Sequence, residues 1–309
     1  MSQPFWAPEY DVSADEARAL IAAQFPHVSP CVIERFGAGM DNIAFLVDKK
    51  YVFRFPRRSI IVPLLETETA VLPLIAPHLP VPVPVPRFRG IPQGAYPWMF
   101  AGYELLPGTT ACSVALTDDA RLALAPALGS FLRALHSIDP ADALALGLPF
   151  DTLGRLDHTR RFPLAEDRFA NLEARGYLND VHTFLQFMRE TAPRDLVASV
   201  IVHGDLYARH VLVDESECLS GIIDWGDVHY GHPAADLMVA HTMLPPSAHQ
   251  SFIYAYGGVD ERAWDIARYR AIYHSALVAD YGINIEDAAL RDAGIAALER
   301  IREAIAPVF

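Results

Sequence analysis

The stretch from Val200 to Trp225 constrains the fold more than any other part of the chain. Short apolar runs alternate there with loops that carry polar side chains. Ile201 and Val202 lead into His203-Gly204-Asp205, and His210, five residues after Asp205, opens a second apolar run. A third run, Leu219 to Ile223, ends at Asp224-Trp225. Runs this short, rich in β-branched residues and bounded by turn residues, read as strands. Asp205, His210 and Asp224 therefore stand at strand ends joined by short connections, an arrangement that can bring them to one site. Asp and Gly are common turn residues, so each alone reads as a turn or cap. Their combination is what points to chemistry.

The chemistry that suits them is phosphoryl transfer. It needs a carboxylate to orient an acceptor hydroxyl and take its proton, and oxygen or nitrogen ligands to hold Mg²⁺ against nucleotide phosphates. Asp205 suits the first role, and Asp224 with His210 suits the second.

The rest of the chain divides around residues 103–108. Before that point, Ser13-Ala14-Asp15-Glu16 reads as a capping box opening a helix to about Phe25. Val32–Phe36, Ile43–Val47 and Tyr51–Phe55 read as strands, and Leu64–Ile75 as a helix with Pro73 near its end. Gly37-Ala38-Gly39-Met40-Asp41-Asn42 lies between two strands, as a loop covering a nucleotide would, or as an ordinary hairpin turn. No GKS or GKT follows, so it is not a Walker A loop. In Leu79–Pro86 proline stands at every second position, which excludes a helix or a central strand and leaves a stiff extended connector. Trp98–Leu106 reads as a strand ended by Pro107-Gly108. Beyond it helices dominate: Asp118–His136, one within Leu164–Glu190, and a run from Ala234 to a last helix over Glu286–Ala306.

The HGD segment and the Ile-Ile-Asp-Trp segment resemble the catalytic and metal-binding segments of protein kinases. They are more similar to those of the aminoglycoside phosphotransferase superfamily, above all its 2″-phosphotransferases, with macrolide phosphotransferases next. The resemblance covers most of residues 33–240, with a weaker helical match to about 305. It implies an α+β, bilobal, protein-kinase-like fold: an N-lobe over 1–106 with an antiparallel sheet and a helix, and a larger, mainly helical C-lobe over 107–309. It makes Asp205 the catalytic base, His210 the replacement for the kinase asparagine, and Asp224 the main Mg²⁺ ligand. Arg54 stands where a phosphate-binding lysine is expected and Glu68 where its partner is expected. Arginine keeps the charge in a forked, planar form; a surface Arg and a helix Glu is the plainer alternative. Gly37, Gly39, Asp41 and Asn42 fall in the nucleotide-covering loop. Tyr103 becomes the residue that narrows the purine pocket, a feature favouring GTP over ATP, with the backbone of Glu104 and Leu106 meeting the base. Asp236 resembles the aspartate that braces the catalytic loop.

Charge bears on the partners. With 38 acidic and 25 basic residues the net charge is −13. That argues against nucleic acid, where phosphate neutralisation drives affinity, and suits a cationic small molecule, although solubility alone also accounts for it. Asp227, Asp280, Glu286 and Asp287 are candidates for holding an amine-bearing acceptor; a solvated helix face is the alternative for the last three. Asp227, His229 and His232 also raise a separate metal cluster, which Gly231 and Pro233 disfavour. His136 reads as a cation at a helix C-terminus, and His241 and His274 as core or surface histidines. No long apolar run suggests a membrane span, and the N-terminus lacks a leader pattern. Cys31, Cys112 and Cys218 are widely separated, so a reducing cytoplasm is the expected setting. The expected activity is transfer of the γ-phosphate of GTP or ATP to a hydroxyl of an aminoglycoside-like substrate, or of a macrolide or other small alcohol or sugar. A metallophosphoesterase and a non-catalytic nucleotide-binding module are the readings from other classes.

Overall fold

The computed structural model describes residues 8–28, 32–39 and 41–305. The N-terminal leader reading (residues 1–7), Cys31, Met40 of the glycine loop and Ala306 lie outside these. In chain order the elements are α1 (Ala14–Gln24), β1 (Ile33–Ala38), β2 (Asn42–Val47), β3 (Tyr51–Pro56), α2 (Val62–Ile75), β4 (Pro86–Gly90), β5 (Phe100–Glu104) and β6 (Thr109–Thr110). Helices α3 (Asp118–His136), α4 (Ala141–Ala145), α5 (His158–Ala174) and α6 (His182–Glu190) follow. Then come β7 (Val200–Val202), β8 (Val211–Val213), β9 (Leu219–Ile222), β10 (His229–Gly231), α7 (Ala234–Met243), α8 (His249–Tyr256), α9 (Glu261–Asn284) and α10 (Ala288–Ile305).

The first five strands form one antiparallel sheet in the order β1-β2-β3-β5-β4. Strand side chains alternate between faces, and that alternation sorts this sheet. Phe53, Phe55 and Phe100 point to one face, where with Phe45 they pack against Leu20 and Ile21 of α1. The Phe55 and Phe100 rings stack at 4.5 Å. Arg54, paired across the ladder with Ala101, points to the opposite face, where Ala101 and Tyr103 pack against Leu65 of α2. Gly102 is required at its place, because a Cβ there would lie 2.5 Å from the Phe53 ring.

At α1, Ser13 caps as its sequence indicates, accepting the Glu16 N–H at 3.2 Å. The Glu16 carboxylate instead accepts the Tyr10 hydroxyl at 2.5 Å, so the return half of the box is given to a tertiary contact. The proline connector is extended and belongs to no strand before Pro86. The Pro82 carbonyl accepts the Ile222 N–H at 3.1 Å, so the connector lies along β9. The helix expected within Leu164–Glu190 is two, α5 and α6, separated by a segment with Gly176 at φ +75°. Residues Ser59–His78, a helical stretch that includes α2, are long and apolar enough to cross a membrane by length and composition. That stretch carries Glu68, which is fully buried and ion-paired to Arg54.

Every residue of α7 is buried, which makes it the spine of the helical part, with α3, α9 and α10 against it. Beside its C-terminal half, His241 and Trp264 lie at 4.2 Å and His241 and His249 at 5.1 Å between ring centres. Burial pushes both histidines down, His249 to about 4. An unfolded histidine takes its proton near pH 6.5, so below that pH the unfolded chain binds more protons and stability falls with pH until the folded His249 titrates. Urea unfolding should therefore show a lower free energy at pH 5 than at pH 7. His249→Gln, which can still donate to the Ala240 carbonyl that His249 contacts at 3.2 Å, should flatten the dependence.

Candidate active site

Two small sheets place the polar residues. β7 pairs with β10, and β8 lies between β6 and β9. The loop from β7 to β8 carries His203 to His210, and the end of β9 delivers Asp224.

The loop is held from behind. Asp236, at the start of α7 and fully buried, accepts the backbone N–H of His203 at 2.7 Å and of Gly204 at 2.8 Å. Its carboxylate also lies 3.3 Å from His136 Nε2, while His136 Nδ1 meets the Tyr256 hydroxyl at 2.9 Å. His136, the last residue of α3, thus has its side chain buried against Asp236. Burial pushes the Asp236 carboxyl up, but the hydrogen bond and charge of His136 outweigh it and hold the group below its ordinary value. His203 ties the two loops together. Its Nε2–H donates to the Ile223 carbonyl at 3.0 Å, and its Nδ1 accepts the Asp205 N–H at 3.3 Å. Gly204 sits at φ +85°, and a Cβ there would lie 2.4 Å from the Asp227 carbonyl. The motif glycine is therefore a backbone requirement.

The front of the loop presents the acids. Asp205 is 26% exposed at its side chain and receives His274 Nε2 on Oδ1 at 3.0 Å. Burial raises the Asp205 carboxyl, but His274, His210 and Arg270 together hold it well below the usual carboxylate range. Asp224 is 46% exposed, adopts φ +64°, and takes Arg54 on Oδ1 at 2.9 Å. Its carboxyl is also lowered, burial being outweighed by Arg54 and His210. His210 lies between the two acids, Nδ1 3.6 Å from Asp205 Oδ2 and Nε2 3.4 Å from Asp224 Oδ2. Its Nδ1 contacts the Asp205 carbonyl at 2.7 Å. A carbonyl only accepts, so Nδ1 carries a proton, and Nε2 is the ring atom turned toward Asp224.

Asp224 and Nε2 of His210 thus set one carboxylate and one ring nitrogen facing each other. That donor set fits Mg²⁺, which is usually held by one or two carboxylates plus substrate phosphates and water rather than by an all-protein cage. Among the described residues no group of three His, Cys, Asp or Glu forms a preassembled metal site.

Arg54 completes the front. Its Nη1 lies 3.1 Å from Glu68 Oε2, and the Tyr103 hydroxyl donates to Glu68 Oε1 at 2.5 Å. Burial raises the Glu68 carboxyl against the pull of Arg54. Tyr103 is itself 2% exposed, so its ring is part of the packing between β5 and α2. At the end of β5 Glu104 is exposed and lies 3.4 Å from Arg87, and Leu106 is half-buried. In the β1–β2 hairpin the Gly39 N–H meets the Asn42 carbonyl at 2.9 Å, and Asp41 pairs with Arg58. A Cβ on Gly37 or Gly39 would meet nothing within 4 Å. Neither glycine is demanded by the chain itself, so Gly39→Ala should leave the melting temperature unchanged. If the loop covers a nucleotide, the same change should raise the KM for nucleotide several-fold, a split that steady-state kinetics and thermal melts will read.

The four acids proposed for an acceptor are scattered in role. Asp227 is taken by Arg155 at 2.5 Å, and burial pushes its carboxyl up to about 6. Asp287 caps α10 by accepting the Leu290 N–H at 2.9 Å and lies 3.7 Å from Arg209 of the catalytic loop. Glu286 is exposed, and Asp280 Oδ1 is buried without a partner. Arg155, not singled out from the sequence, and His274, read there as a core or surface histidine, join the site. Arg155 donates from Nε to the Gly204 carbonyl at 3.0 Å and also binds Asp151. His274, from the middle of α9, is the one on Asp205. A charged or titratable residue inside an otherwise apolar run was the only signal for His274.

The sequence profile of the family described as "Phosphotransferase enzyme family" matches residues 32–272. The structure is similar to the GDP and kanamycin complex of APH(2″)-IIIa, with a TM-score of 0.67 and 23% identity, covering 93% of this chain and 98% of that one. It is also similar to the macrolide 2′-phosphotransferase MphH from Brachybacterium faecium, with a TM-score of 0.56 and 26% identity, covering 86% of this chain and 91% of that one. The uncharacterised protein YcbJ of Bacillus subtilis is 24% identical over 240 residues, 73% of this chain and 75% of YcbJ. With the profile spanning most of its length over a kinase-like architecture, the chain belongs to the phosphotransferase enzyme family, whose members use hydroxyl acceptors.

Proposed function

We propose that the chain is a small-molecule kinase that transfers the γ-phosphate of GTP or ATP to a hydroxyl of an aminoglycoside-like acceptor. The observation that carries this reading is the convergence of Asp205 and Asp224 on His210, with Arg54 on the far side of Asp224. In it, residues 1–106 form the nucleotide-binding lobe and 107–309 the catalytic lobe. Asp205, ionised and fixed by His274, orients the acceptor hydroxyl and receives its proton. Arg54, aligned by Glu68, binds phosphate oxygens in its fork. Asp224 and His210 hold Mg²⁺, which when bound neutralises charge developing on the phosphates. The hairpin of Gly37, Gly39, Asp41 and Asn42 covers the nucleotide, and the backbone at Glu104 and Leu106 meets the base, with Tyr103 behind it favouring GTP. The similarity to a kanamycin complex and the net charge of −13 support a cationic acceptor met by acids such as Asp287, in a cytoplasmic setting. Coupled nucleotide turnover with GTP and ATP, with and without Mg²⁺, against aminoglycosides, macrolides and small alcohols tests the reading. Mg²⁺-dependent turnover with an aminoglycoside is expected. Turnover only with other alcohols removes the acceptor and keeps the reaction, and none with any hydroxyl compound removes both.

A further inference from the structure

A cavity of about 320 Å³ lies beside the catalytic loop, away from Asp224 and Arg54. Its volume is at the lower end for small-molecule sites and corresponds to about ten water volumes. One wall is a face of α10 on which Ala289, Ala293 and Ala296 present methyl groups beside Asp292 and Arg300. The loop contributes Ala208, whose carbonyl accepts the Cys112 N–H at 3.1 Å, which ties this wall to the segment carrying Asp205.

The polar lining is cationic. Arg121 from α3 and Arg300 from α10 both reach the cavity. Each gives one Nη1 to the C-terminal end of α7, Arg121 to the Met243 carbonyl at 2.8 Å and Arg300 to the Thr242 carbonyl at 3.2 Å. Those bonds cap a helix C-terminus and account for one N–H group of each guanidinium. No other hydrogen bond and no ion pair is made by either side chain among the described residues. No nearby acid closes an ion pair with them: Asp292, which also lines the cavity, is engaged by Arg291 at 2.7 Å, while Asp118 acts on both arginines and Glu303 on Arg300 from beyond ion-pair distance. Two like charges are thus held side by side, close enough for Arg300 to disfavour the charge on Arg121 after burial has already done so. An anion between them removes that repulsion, and the forked guanidinium matches carboxylate and phosphate oxygens two at a time.

We propose that this cavity binds a small carboxylate- or phosphate-bearing molecule through Arg121 and Arg300, at a place distinct from the nucleotide site. The proposal does not depend on the acceptor named above. The anion is either a group on a hydroxyl acceptor or a separate molecule, and the two sources give different kinetics.

The test is calorimetric titration of the full chain with citrate and with inorganic phosphate at constant ionic strength. Arg54→Ala removes phosphate capture at the nucleotide side and should leave the signal in place. Arg121→Gln with Arg300→Gln should weaken it by about tenfold or more. Because those changes also remove caps from α7, Ala293→Leu serves as the second variant. It fills the cavity, leaves both caps, and should abolish binding with an unchanged circular dichroism spectrum. In turnover assays with hydroxycarboxylates and sugar phosphates, a raised KM for such acceptors in the arginine variant identifies the anion as part of the acceptor. An unchanged KM with lost citrate binding identifies a separate molecule. Binding that is absent in the wild type, or that survives both the arginine and the Ala293→Leu changes, overturns the proposal.

Discussion

Asp205→Asn is expected to lower turnover by about 10²–10⁴-fold, the range attributed to a positioned general base. The amide has the shape of the carboxyl group, and its carbonyl can still accept the His274 Nε2–H that now lies 3.0 Å from Oδ1. The loop should keep its form, because its brace is on the backbone of His203 and Gly204 rather than on the Asp205 side chain. Nucleotide contacts are assigned to Arg54, Glu68 and the hairpin, so nucleotide affinity should stay within about a factor of two of wild type. The loss should therefore fall on kcat. Asp205 is held ionised far below the ordinary aspartate value, so the wild-type acid limb of kcat/KM should not come from this group above about pH 4. Turnover by Asp205→Asn at the wild-type rate would remove Asp205 from the reaction. Loss of nucleotide binding in equal measure would make it a structural residue instead.

The parts of the site that were legible in the sequence are those fixed by local chain geometry. Asp205, His210 and Asp224 sit at the ends of short strands, and a strand end determines where the next side chain goes. Arg54 and Glu68 were legible only through the resemblance to the aminoglycoside phosphotransferase superfamily, and the structure pairs them at 3.1 Å. His274, Arg155 and His136 were not legible as members of this site. Their partners are 69, 49 and 100 residues away, and nothing in the periodicity of α9 distinguishes a histidine aimed at Asp205 from one packed in the core. Of the acceptor acids, Asp227 pairs with Arg155 from 72 residues away, a partner that no local pattern shows. The fold followed the same division. Strand positions and the helix over Asp118–His136 were readable from pattern, but the break between α5 and α6 falls at an exposed left-handed glycine, Gly176, inside a segment otherwise patterned as helix.

The largest effect on stability is expected at Asp236. Asp236→Asn preserves volume and removes the charge, yet only one of the two amide positions can accept a hydrogen bond. The other presents an N–H to a backbone N–H, either that of His203 or that of Gly204, and one donor in a fully buried place is left unsatisfied. His136 loses its acidic partner in the same step. Breaking a buried, charge-assisted set of this kind costs about 3–5 kcal/mol, a large share of the 5–15 kcal/mol typical of a folded domain. Urea unfolding at pH 7 should show this as a lower midpoint with an unchanged slope. The pH dependence carries the sign. The folded Asp236 carboxyl is held below its unfolded value, so its contribution is fully present above the unfolded pKa near 4 and is lost as pH falls through the folded one. The gap between wild type and Asp236→Asn should therefore be widest at neutral pH and close in acid. Turnover should fall with it, because the two backbone bonds are what point Asp205 at the front of the site. A variant that unfolds at the wild-type urea midpoint and still loses activity would show that Asp236 acts on the reaction directly, and the brace would then have to be sought in His203 and its bond to the Ile223 carbonyl.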